Sequence, residues 1–123
     1  MDAFVNGAAP AALPPIDVLL ADRDAAVCDS MRILFESLGY AVQTVQDAGQ
    51  LETLMRERPP RCLVLAVELG GIELLARLRA QGAPVPAIVT SNQGGIPLAV
   101  AAMRAGALDF LEKPLLDARL LQK

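Results

Sequence analysis

The sequence predicts an α/β fold in which a parallel sheet carries helices on both faces. Three observations predict it. Five short, mostly apolar runs alternate with five segments of helical period. Glycine or proline punctuates most of the joins between them. The third run, Cys62–Val67, is apolar throughout, as a strand covered on both faces would be. Strands separated by helices of this length run parallel through right-handed crossovers.

The elements follow in order. Residues 1–15 are rich in Ala, Pro and Gly without periodicity and read as a flexible N-terminal arm, leaving residues 16–123 as one domain. Ile16–Ala21 reads as a buried strand. Asp24–Leu38 reads as a helix with Val27, Met31, Leu34, Phe35 and Leu38 on one face, with Asp22 or Asp24 as its cap. Tyr40–Val45 has the mixed polarity of an edge strand. Asp47 caps a second helix with Leu51, Leu54 and Met55 inward, stopped by Pro59-Pro60. Beyond the third strand, Gly70-Gly71 make a turn into a helix over Ile72–Ala80. Val85–Ser91, Ile96–Arg104 and Ala107–Leu111 supply a strand, a helix and a strand. Leu115–Gln122 begins a short fifth helix.

Composition excludes several functions. The chain has 123 residues and no histidine, which removes a phosphohistidine carrier or any histidine-based site. A net charge of −3 gives no electrostatic reason to bind nucleic acid. No apolar run approaches the roughly 20 residues that span a bilayer, and no signal peptide is visible. Cys28 and Cys62 form no CxxC pair and read as free core thiols of a reduced, cytoplasmic protein.

In a doubly wound sheet, chemistry sits beyond the C-terminal ends of the strands. Those positions hold Asp22-Arg23-Asp24, Ala66-Val67-Glu68, Ser91-Asn92 and Glu112-Lys113-Pro114. An acid, a hydroxyl and a lysine at three strand ends resemble the receiver domains of bacterial response regulators. The resemblance covers about Ile16 to Gln122. It is most specific from Pro97 through Pro114 and again from Asp22 through Met31, where it is similar to receivers fused to helix-turn-helix output domains. It implies a flavodoxin-like sandwich with strand order 2-1-3-4-5.

In that family two acids after the first strand hold Mg²⁺, and an aspartate ending the third strand accepts a phosphoryl group. A Ser or Thr after the fourth strand and the Lys before Pro contact the phosphoryl group, and an aromatic on the fifth strand follows the hydroxyl. By position, Asp22 matches the first acid, Ser91 the hydroxyl, Phe110 the aromatic and Lys113 the lysine. Arg23 stands where the second acid belongs and Ala66 where the acceptor belongs. The loop after Ala66 is shorter than the Met-Pro-Gly segment usual in these receivers.

These departures bear on the chemistry. Phosphoryl transfer to a receiver needs a carboxylate nucleophile and a cation to spread charge. Alanine offers no lone pair, and Mg²⁺ needs oxygen ligands. Asp22, Arg23 and Lys113 carry one net positive charge together, or none if Glu68 points inward. Such a pocket is expected to hold no metal and no cofactor, and to be ion-paired internally, Asp22 with Lys113 or Arg23.

Each residue also has a plainer reading. Asp22 can serve as a helix cap and Lys113 as a solvated lysine before proline. Ser91 reads equally as a strand-end hydroxyl or a switch, and Phe110 as fixed packing rather than a moving reporter. Glu68 is expected to be a solvated loop residue; a substitute carboxylate is the sharper reading. In the fourth helix, Ile96–Met103 carries no charge. That is either an alanine-rich surface or a partner face, with Leu98, Ala102, Met103 and nearby Asp109 as interface candidates.

The expectation is a non-enzymatic pseudo-receiver: an interaction module independent of phosphorylation. Its partner would be a second copy or another protein, with an output domain possible beyond Lys123 and no contact with nucleic acid or membrane. The alternatives are a phosphoacceptor using Glu68 or Asp24, and a small-ligand-binding domain.

Overall fold

The computed structural model describes residues 14–113. Most of the expected arm and the whole of the expected fifth helix lie outside them. Five strands form one sheet: β1 (Val18–Ala21), β2 (Val42–Val45), β3 (Cys62–Ala66), β4 (Ala87–Ser91) and β5 (Asp109–Glu112). All pairs are parallel and the order is β2-β1-β3-β4-β5. The apolar third strand is therefore the middle one, and the polar second strand is an edge.

Four helices connect them: α1 (Ala25–Ser37), α2 (Ala48–Glu57), α3 (Gly71–Ala80) and α4 (Ile96–Arg104). Period-2 alternation along the strands splits the core in two. Leu19, Leu63, Leu65, Ala87 and Val89 pack with Leu51 of α2, Leu74, Leu75 and Leu78 of α3, and Ala102 of α4. Val18, Leu20 and Val64 face Met31 of α1. Removing such surface from water contributes roughly 25 cal/mol per Å² of apolar area.

Local chemistry sets the boundaries. Asp24, not Asp22, caps α1, accepting from the Ala26 and Val27 amides. Asp47 caps α2 through the Gln50 amide, as expected. The fourth strand starts at Ala87 rather than Val85, because Pro86 has no N–H to give the ladder. Leu38 is corrected: it is half exposed, because α1 ends at Ser37 and the chain turns at Gly39. Cys28 and Cys62 are both free. Burial pushes both thiols above their ordinary pKa, with the Asp22 charge adding to the effect at Cys28, so neither is an activated nucleophile.

Candidate functional site

Four strand ends converge at one edge of the sheet. The register sets Ala21 beside Leu65 and Val45, Ala66 beside Thr90, and Ser91 beside Glu112. Just past these pairs lie Asp22, Glu68, Asn92 and Lys113.

Asp22 is buried, and its carboxylate is fixed twice. Oδ1 accepts the Asp24 amide at 2.9 Å, and Oδ2 accepts Lys113 Nζ at 2.9 Å. The Lys113 backbone N–H extends the β4–β5 ladder by donating to the Ser91 carbonyl at 2.7 Å, which aims its side chain across the strand ends. Lys113 Nζ also donates to Glu68 Oε1 at 2.9 Å. The ammonium thus bridges two carboxylates, its own side chain 4% exposed.

Glu68 is corrected from a solvated loop residue to the centre of the site. Its Oε2 accepts the Ser91 hydroxyl at 3.1 Å and the Asn92 amide at 3.0 Å. Ser91 is buried and accepts the Gln93 amide at 3.0 Å. Burial works to raise the Glu68 pKa, but the bonds from Lys113 and Asn92 outweigh it and hold the carboxyl below its ordinary range. Burial works to lower the Lys113 pKa, yet Asp22 and Glu68 hold it above the ordinary lysine value.

The loop explains how Glu68 arrives there. Val67–Leu69 is one turn of 3-10 helix, closed by Gly70 in the left-handed region at φ 83°. A Cβ on Gly71 would lie 2.5 Å from the Ala66 carbonyl oxygen, so only glycine lets α3 start this close to β3. The tight turn carries residue 68 back over the strand ends.

Ala66 ends β3 and is fully buried, and its methyl group brings no oxygen to this end of the sheet. Arg23 is exposed and does not pair with Asp22 among the described contacts; its guanidinium approaches the Glu68 carbonyl at 3.5 Å. Phe110 is half-buried against the larger core cluster.

Residues 18–123 match the response regulator receiver domain. The chain belongs to that family. It is 42% identical over 106 residues to the transcriptional regulatory protein FixJ of Bradyrhizobium diazoefficiens, covering 84% of this chain and 52% of that protein. It is 41% identical to FixJ of Azorhizobium caulinodans, over 87% of this chain and 51% of that one. The chain thus spans about half the length of these relatives. The solved receiver domain of NtrX from Brucella abortus superposes with a TM-score of 0.78 at 31% identity, covering 86% of this chain and 92% of that one. A CheY-like receiver from Methanospirillum hungatei shares the fold, with a TM-score of 0.78 at 23% identity.

The receiver's customary divalent cation does not fit these residues. Asp22 spends its second oxygen on Lys113, Arg23 brings a positive charge to the rim, and Ala66 offers no side-chain oxygen. The ammonium lies between the two carboxylates, so cationic charge is already supplied from within. No group of three or more potential metal-binding side chains occurs among the described residues.

Asp24, the other candidate substitute acceptor, caps α1 through Oδ1, which accepts the Ala26 and Val27 amides. The α4 interface is also corrected. Ala102 is fully buried in the core and Leu98 is half-buried, while Met103 is exposed. The exposed apolar strip is Ile96, Val100 and Met103, at i, i+4 and i+7. Asp109 opens β5 half-buried, accepting the Phe110 amide at 2.8 Å. Sequence reasoning missed the Asn92 amide, whose role is carried by the backbone. It also missed Arg79, which bonds the Ala83 and Gly106 carbonyls and ties α3 to the turn after α4. The signal for Arg79 was Gly106, where a Cβ would collide with the arginine.

Proposed function

We propose that this receiver works without phosphorylation, as a non-enzymatic, cytoplasmic protein–protein interaction module in two-component signalling. The observation that carries this reading is Ala66. The strand end that the resemblance aligns with the family's acceptor aspartate holds a methyl group, and the lysine is paired with Asp22 and Glu68 instead. A partner protein or a second copy would dock on the strip of Ile96, Val100 and Met103 and the adjoining β5. The FixJ relatives are transcriptional regulators about twice as long as the matched segment, which supports an output domain joined to this one.

One observation favours a second reading: Glu68 is a carboxylate amid the hydroxyl and ammonium that would attend a phosphoryl group. Incubation with acetyl phosphate and Mg²⁺, followed by intact-mass and peptide mass spectrometry, tests both. The proposed reading expects no phosphoryl adduct. An adduct on Glu68 would establish the second.

A further inference from the structure

Three donors converge on one acceptor at the strand ends. The Ser91 hydroxyl, the Asn92 amide and the Lys113 ammonium all give hydrogen bonds to the Glu68 carboxylate, at 3.1, 3.0 and 2.9 Å. Together they form an oxyanion-binding set: one hydroxyl, one backbone N–H and one cation, pointed at a single anionic group. The set is built on rigid parts. Ser91 is the last residue of a central strand and is 1% exposed, and Lys113 is locked from its other side by Asp22.

We propose that Glu68 is a tethered internal ligand of this oxyanion site, holding Ser91 and Lys113 permanently in the arrangement that a bound tetrahedral anion such as phosphate would impose. The inference deepens the reading of a phosphorylation-independent receiver and rests on it. The local sequence builds the tether. Without the left-handed Gly70 and the bare Gly71, α3 could not start against Ala66, and residue 68 would not fold back over the strand ends. A ligand on a three-residue turn has an effective concentration of millimolar or more, so it outcompetes free anions of ordinary affinity. Arrangements that a transferable group would supply intermittently are here supplied by the sequence continuously.

The test is reversible binding of inorganic phosphate, followed by the amide resonances of Ser91 and Asn92. In the unaltered chain Glu68 occupies the donors, and neither amide should move. In Glu68→Ala the donors are released and saturable binding should appear, about tenfold or more tighter than in the unaltered chain. Glu68→Gln keeps the side-chain volume and removes the charge; it protects the test against misfolding of the alanine variant and should gain binding in the same direction. Phosphate shifts of equal affinity in the unaltered chain, or no shift in a folded variant, would overturn the inference. Phosphate binding is reversible and leaves the mass unchanged, whereas failure of the parent reading appears as a covalent adduct on the unaltered chain. The two failures are therefore read separately.

Discussion

Lys113 Nζ meets Asp22 Oδ2 at 2.9 Å, with both side chains more than nine-tenths buried. A buried charge without a partner is expensive, whereas a paired one is tolerable. The two residues are 91 positions apart and belong to the first and last strand ends of the described chain. Their contact therefore closes the strand-end edge of the sheet.

Lys113→Met should lose about 3–5 kcal/mol, because it leaves Asp22 uncompensated next to a second carboxylate, Glu68. Adding Asp22→Asn should recover part of that loss. Urea unfolding of the two variants checks this, and a loss below about 1 kcal/mol for Lys113→Met would show a pair no stronger than a surface one.

Stability should depend on pH at both extremes. The Glu68 pKa is lowered from its ordinary 4.5, so its contribution is full above that value and fades as pH falls through the folded pKa. The Lys113 pKa is raised from its ordinary 10.5, so its contribution is full below that value and fades as pH rises through the folded pKa. Between these limits neither group gives a slope. Urea midpoints across the acid range should fall less steeply for Glu68→Gln than for the unaltered chain. Identical acid slopes would mean that the carboxylate is not held by Lys113 and Asn92.

Restoring an acceptor should not restore labelling by itself. In Ala66→Asp a new carboxylate enters a fully buried position beside Asp22 and Glu68, and Lys113 is already shared between those two. Crowded like charges should cost about 1–3 kcal/mol of stability. With Arg23 still at the rim, acetyl phosphate should label the variant poorly. Ala66→Asp with Arg23→Asp should label better. Efficient labelling of the single variant would show that pocket charge is not what opposes the reaction.

What could be read in the sequence followed locality. The alternation of strands and helices, the apolar third strand and the Asp47 cap depend on patterns within ten residues or so, whereas the strand order came only with the family resemblance. Glu68 was misread because its reach depends on a 3-10 turn and on the absent Cβ of Gly71, neither of which has a periodic signature. Ala102 was misread for a different reason. A helix without charges gives no polar face to orient it, so its rotation is set only by which side packs. Asn92 could not have been found at all, since any residue but proline presents the same N–H.

That rotation decides how association should be tested. Ile96 is 79% exposed, Val100 41% and Met103 47%, one stripe along α4, while Ala102 looks the other way into the core. A charge at position 102 would therefore damage the fold and report nothing about a partner. A charge at position 100 leaves the core alone and places an ion in the centre of the stripe, where docking must strip its water at a cost of several kcal/mol. The chain is expected to self-associate with rising concentration, or to bind another protein, through this stripe. Val100→Glu should abolish the association and leave the folding stability within about 0.5 kcal/mol of the unaltered chain. Ala102→Glu should instead unfold or strongly destabilise it. Sedimentation velocity over a wide concentration range, paired with thermal melts of both variants, makes the comparison. A strict monomer that binds no partner, with Val100→Glu behaving as the unaltered chain does, would mean that the stripe is only the alanine-rich outside of a receiver.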